Sequence, residues 1–335
     1  MVTGDVLLHP QLINEAQQAA QKKGKKQEHD FLPLLAGLQP YAEDADLALC
    51  NLEIPVGDAP FSGYPVFKAP KQVVKDLAEI GYDGCTTATN HTVDAGTDGV
   101  LDTLDALDDN ELFHAGSYRS KKASDAPHIV ESHGIKLGVV TTAYDLNGFT
   151  ADKPWRVDTG LDAAKLIQRA KATKTAGADL VVAAIHARDE YSNVQNAEQT
   201  QLAHALAESK AFDFIYMHHT HSLLPIEKYK GTWIVYGLGN SVAKHQTPTI
   251  LNREGISVKA TFTEGKKDKW KVSKLQWVPH LLSTSPVRWC QVADADTSCV
   301  SKAEAKDSFD RSEATVDSLG AIDDGLELWE LPETK

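Results

Sequence analysis

Five short polar segments follow one another along this chain: Gly4-Asp5, Asn51-Leu52-Glu53, Asn90-His91 with Asp94, His186, and Met217-His218-His219-Thr220-His221. Carboxylate and amide oxygens and neutral imidazole nitrogens are the donors that hold borderline divalent metals. The first four segments follow or close apolar, strand-like runs. A parallel sheet would therefore bring them to one edge, the layout of a metal centre.

The histidine cluster is the strongest local signal. After a strand, a tight turn can aim His219 and His221 into one site; the plainer reading is a histidine-rich surface loop. His186 ends the run Leu180–Ile185, at the tip of a buried strand, with Arg188, Asp189, Glu190 and Tyr191 beside it. A lone histidine there also suits a structural role. Asn90 offers a weak, uncharged oxygen ligand. The adjoining His91 is placed to protonate a leaving oxygen or hold a transition-state oxyanion, with Asp94 three residues on to orient it. An ordinary Asx-turn loop explains the same residues equally well. Asp5 and Glu53 are the carboxylates expected at the centre. Two cations about 4 Å apart need anionic oxygens between them and activate water for in-line attack. Glu53 is the expected bridge, with Asp5 on one ion and Asn90 on the other.

Rival chemistries find no support. Gly237-Leu238-Gly239-Asn240 is neither a dinucleotide fingerprint nor a phosphate loop, and the chain has no Gly-x-Ser-x-Gly elbow and no Cys-x-x-Cys pair.

The elements that must position these residues alternate between strand and helix, the pattern of βαβ units. Strands are expected at 46–50, 83–88, 179–185 and 212–217, and helices at 71–80, about 98–109, 161–175 and 197–209. Hairpins are expected at 127–131 with 135–143, and at 224–229 with 232–236. Two longer strands follow, near 254–263 and 269–279. Parallel stretches in both halves with hairpins between them predict two stacked mixed sheets covered by helices, an α/β fold. Residues 1–280 form the expected domain. Residues 281–335 are acidic and irregular in composition, and are expected to pack on the domain as a partial cap.

The chain has 335 residues, 42% of them hydrophobic, enough for a large core. Its net charge of −13 argues against a nucleic-acid or anionic-membrane surface, so an anionic substrate would need a local positive centre. Neither a membrane-spanning run nor a signal peptide is present, and the chain opens almost on its first motif, which suggests an excised mature domain or missing upstream residues. Cys290 and Cys299 stand nine apart in a polar loop, a spacing able to close a disulfide in an exported protein. Cys50 and Cys85 close apolar runs and are expected as buried free thiols.

Taken in order, the stretches GDVLLH, ADLALCNLEIPV, YDGCTTATNHTVDAG, HARDEY and MHHTHSLLPIEKYKGTWIVYGLGNS resemble the CapA family of poly-γ-glutamate capsule biosynthesis proteins, within the calcineurin-like metallophosphoesterase superfamily. The resemblance covers roughly residues 4–245. It implies a four-layer α/β/β/α sandwich with one or two divalent ions (Zn, Mn or Fe) held by Asp5, Glu53, Asn90, His186, His219 and His221. It implies His91 and Asp94 as acid and orienting partner, and Glu190, Tyr191 and Asn240 beside the substrate. It further implies an exported, cell-surface protein acting on an anionic polymer or phosphoester, with other capsule-synthesis proteins as potential partners. Three positions depart from the pattern. Leu7 stands where the superfamily's Asp-x-His has histidine, with His9 two residues on as a potential substitute; Met217 replaces a glycine, and Glu53 an aspartate. These departures motivate a second reading, a non-catalytic capsule-assembly or polymer-binding component on the same fold.

Overall fold

The computed structural model describes residues 1–332 apart from 25, 188, 248, 266–269 and 295–298. Two sheets stack face to face. The nine-stranded sheet runs in the order 289–291, 270–282, 254–264, 2–6, 49–52, 84–86 and 113–115, with 240–242 pairing against 2–6 and 326–328 against 270–282. The six-stranded sheet runs in the order 226–229, 232–235, 214–218, 180–186, 135–143 and 129–132.

Strand alternation sorts the side chains into layers. Along Leu180–His186, Val182 and Ala184 face the other sheet and meet Val2, Leu49, Ile256 and Trp277. Val181, Ala183 and Ile185 face outward, where Leu166 and Ala170 of helix Ala163–Thr175 and Leu202 and Leu206 of helix Ala197–Glu208 cover them. On the far side, Leu12, Ala16, Val73, Leu77 and Leu107 from helices Pro10–Lys22, Gln72–Glu79 and Gly96–Asp109 cover the larger sheet. The result is an α/β/β/α sandwich.

Both expected hairpins form. Their turns place His133 and Lys230 at φ 50° and 49° ahead of Gly134 and Gly231, the left-handed pair that a two-residue hairpin requires.

Several expectations need correction. The strand expected at 46–50 runs over Leu49–Leu52, because the backbone N–H of Ala48 is taken by the Asp83 side chain and pairing starts beyond it. Cys50 and Cys85 are not free thiols: adjacent parallel strands set them in register, Cα atoms 4.4 Å apart, and they are disulfide-bonded. That register is invisible in either apolar run taken alone. Cys290 and Cys299 are also bonded to each other. The C-terminal region, irregular in composition, holds regular elements of its own. A strand at Trp289–Gln291, a helix at Lys302–Val316 capped by Ser301 and Glu304, and a strand at Leu326–Leu328 all form, and position 280 lies inside a strand. Helix Pro10–Lys22, with Leu12, Ile13, Ala16 and Ala20 buried, is a further element that strand-by-strand reading passed over.

Candidate metal centre

The motifs converge because both sheets present the carboxyl ends of parallel strands at one edge. Asp5 lies in register with Asn51 on one neighbouring strand and Asn240 on the other, while His218 in the second sheet is in register with His186. Glu53 follows the Leu49–Leu52 strand, and Asn90, His91 and Asp94 form the turn after Gly84–Thr86. His219 and His221 leave the Phe214–His218 strand with φ of 86° and 49°, a left-handed backbone that turns both rings back toward the edge.

Three sets of donor atoms each gather within 4.8 Å: Glu53, His186 and His219; Asp5, Glu53 and His221; and Glu190, His219 and His221. Shared members make them one cluster, to which each sheet contributes. Glu53 Oε1 stands 3.6 Å from His186 Nε2 and 3.5 Å from His221 Nε2. Asn90 Oδ1 lies 2.8 Å from His186 Nε2. Of the sequence-expected metal ligands, Asp5, Glu53, Asn90, His186, His219 and His221 thus come together, and Glu190 joins them in a ligand set rather than standing only beside it. Arg188 lies outside the described residues.

Asp5 is held on all sides. Asn51 Nδ2 donates to its Oδ1 at 2.8 Å, the His219 backbone N–H donates to Oδ2 at 3.1 Å, and His218 Nδ1 sits 3.1 Å from Oδ1. Burial pushes the Asp5 carboxyl up, but the hydrogen bond and charge of His218 outweigh it and hold the group below the usual carboxylate range. Glu53 is the opposite case. Burial first, then the negative charge of Asp5 and Glu190, pushes its carboxyl well above the usual range. Burial, helped by the neighbouring His219, keeps His186 neutral.

This chemistry fits a divalent cation. Both Glu53 oxygens are buried without a hydrogen-bond partner, a costly state for a carboxyl group unless a positive charge offsets it. Neutral imidazoles offer the nitrogen lone pairs that such an ion takes.

At the rim, His91 Nδ1 donates to Asp94 Oδ2 across 2.7 Å, and the same oxygen accepts the Phe67 backbone N–H at 2.7 Å. The Asp94 carboxylate places the proton on Nδ1, which leaves the lone pair on Nε2. Neither residue enters a ligand set. Tyr191, in left-handed backbone at φ 58°, bonds His245 Nδ1 at 3.2 Å.

Two expectations change here. Asn240 is not open to a substrate: it is fully buried, its Oδ1 accepts from His221 Nδ1 at 2.9 Å, and its Nδ2 donates to the Asn252 carbonyl at 2.9 Å. His9 does not stand in for the histidine absent at Leu7. Leu7 packs in the core under the larger sheet, while His9 Nδ1 accepts the Lys244 backbone N–H at 3.1 Å and joins no ligand set among the described residues. Asn51, His218 and His245 were missed as site residues. Asn51 and His218 sat inside recognised motifs, whereas His245 carried no local signal.

The fold is a two-sheet α/β sandwich whose strand ends gather carboxylates and imidazoles in one cluster. The model of one family, described as bacterial capsule synthesis protein PGA_cap, matches residues 1–245, and the chain belongs to that family. Among curated relatives, the capsule biosynthesis protein CapA of Bacillus anthracis is 31% identical over 61% of this chain and 52% of its own length. The PGA biosynthesis protein CapA of Bacillus subtilis (strain 168) is 34% identical over 51% of this chain and 45% of its own. The chain thus spans about half the length of the curated relatives it matches. Among solved structures, the calcineurin-like phosphoesterase YfkN of Bacillus subtilis is similar at 14% identity and TM-score 0.49, covering 88% of this chain and 92% of its own. The sulfate thiohydrolase SoxB of Termus thermophilus is similar at 16% identity and TM-score 0.43, covering 91% and 45%.

Proposed function

We propose that this chain is a capsule-biosynthesis protein with a metal-dependent, hydrolase-like site that acts at the cell surface on an anionic polymer or a phosphoester. The supporting observation is Glu53, buried and without a hydrogen-bond partner, between imidazoles supplied by the second sheet. In this reading Asp5, Glu53, Asn90, His186, His219 and His221 hold one or two divalent ions of Zn, Mn or Fe, and Glu190 closes the open side. Bound there, such an ion polarises the scissile group and activates water.

The chain's own residues do the rest. His91, held by Asp94 with its proton on Nδ1, presents Nε2 to the leaving oxygen and exchanges a proton there. Asn240 fixes the His221 tautomer so that Nε2 faces Glu53. Tyr191 and the partly exposed Glu190 stand where a substrate enters. Partners are the anionic substrate and other capsule-synthesis proteins. No helix among the described residues is long and apolar enough to cross a membrane.

One observation favours the non-catalytic alternative: Leu7 is buried in the core where the superfamily pattern has a histidine, and His9 joins no ligand set among the described residues. Metal analysis of protein purified without chelator, followed by assays on phosphodiesters and γ-glutamyl amides, separates the two readings. Retained Zn, Mn or Fe, with activity that drops about 100-fold or more in His91→Ala, supports the enzyme. Absence of bound metal, and of activity after adding each one, overturns it.

A further inference from the structure

Beside the candidate metal centre lies a second recess that no member of the ligand sets lines. Its inner lobe, about 340 Å³, is walled by His245, Lys244, Thr247 and Arg253. His245 also borders the centre, its ring 4.5 Å from that of His221. Arg253 and Ser283 belong as well to the wall of an outer lobe of about 720 Å³, which extends past Arg288. The two lobes therefore form one groove leading away from the centre.

The groove's charge runs against that of the molecule. On a chain of net charge −13, the inner lobe has Lys244 and Arg253 on its described walls and no carboxylate. Neither cation forms an ion pair with a described carboxylate. Arg253 Nε is fixed by the Leu282 carbonyl at 2.8 Å, which aims the remaining guanidinium nitrogens without neutralising them. Glu304 is the single acidic residue on the described walls of the outer lobe; it feels the Arg253 charge but is held by the Ser301 backbone and hydroxyl in a helix cap. Arg288 is the weakest of the three cations, because Glu15 stands 3.8 Å from it.

We propose that this groove is a binding track for a linear polycarboxylate, which it holds on the way to the metal centre. Lys244 lines the inner lobe, Arg253 both lobes and Arg288 the outer lobe, so the cations are distributed over the length of the groove. Charges distributed over two lobes suit a chain that carries one carboxylate per repeat, and Thr247 and Ser283 add hydroxyls to the lining. The acidic remainder of the surface repels such a polymer elsewhere, so the groove gives direction as well as affinity.

The inference rests on the proposed anionic-polymer substrate but is tested apart from the metal. A fluorescent γ-glutamyl oligomer is titrated into the full chain in chelator, with anisotropy as the readout, and a polyphosphate of matched charge is run in parallel. The oligomer is expected to bind without metal and to weaken with salt. Lys244→Gln and Arg253→Gln should each weaken binding about fivefold, the size of a partly exposed ion pair. Arg253→Lys keeps the charge, should retain binding, and guards against misfolding of the glutamine variant. Binding that is absent in chelator, or the same in Lys244→Gln as in the parent, overturns the proposal. Tighter binding of polyphosphate overturns the polycarboxylate assignment. Loss of metal retention with oligomer binding intact sinks the hydrolase reading and leaves the groove standing.

Discussion

At the scale of single residues, the centre depends on groups that hold its ligands as much as on the ligands. Thr86 Oγ1 donates to Asn51 Oδ1 at 2.9 Å, and Asn51 Nδ2 in turn fixes Asp5. Asn240 does the same for His221. Partners that orient a metal-bound histidine typically govern affinity by about 10- to 100-fold. Asn240→Ala is therefore expected to weaken metal retention by that factor in a chelator competition, with a modest fall in Tm from the unpaired His221 N–H. Unchanged retention would remove Asn240 from the centre. The residues that gather at the cluster were legible in the sequence, because carboxylates and histidines recur at the ends of its apolar runs. His245 was not: a single histidine in a loop gains meaning only when folding sets it against His221 and Tyr191.

At the scale of elements, the Gly-Asp motif shows why a glycine precedes the first ligand. A Cβ on Gly4 would meet the Gly239 carbonyl oxygen at 2.2 Å and the Ser241 nitrogen at 2.9 Å, both backbone atoms that cannot swing away. The Val2–Val6 strand must approach Gly239 and the neighbouring Asn240–Val242 strand this closely for the Asp5 backbone N–H to bond Gly239 and its side chain to reach the centre. Gly4→Ala should cost about 1–3 kcal/mol by overpacking and displace Asp5, lowering Tm and metal retention together. A variant with parental Tm and parental metal content would contradict this account. Periodicity predicted most strands and helices here, since burial on two faces or one leaves its mark on the order of residues. It misplaced the Leu49–Leu52 strand and missed the Cys50–Cys85 bond, because both depend on which strand lies alongside.

At the scale of the whole molecule, the C-terminal region completes the sandwich. Phe309 of helix Lys302–Val316 stacks on Trp277 with ring centroids 6.1 Å apart, Val316 and Leu326 enter the inter-sheet core, and Arg311 bonds the buried Glu254 at 2.6 Å. Ending the chain after residue 300 should expose Trp277 and leave Glu254 unpaired. The shortened protein is expected to bind a hydrophobic dye and lose its cooperative thermal transition, and a parental melting curve would show the region to be dispensable. Composition alone marked this region as loose, because acidic and small residues hide the few apolar contacts that tie it down. What the sequence by itself determined was the inventory: an alternating α/β chain, two sheets, and a set of carboxylates and imidazoles at strand ends, all of which follow from local periodicity and residue chemistry. Only the tertiary structure decided strand register, which disulfides form, that Asn240 bonds His221, that His9 accepts the Lys244 backbone N–H, and that Lys244 and Arg253 share a groove. Those are relations between distant segments, set by which surfaces pack together, and local residue order carries no record of them.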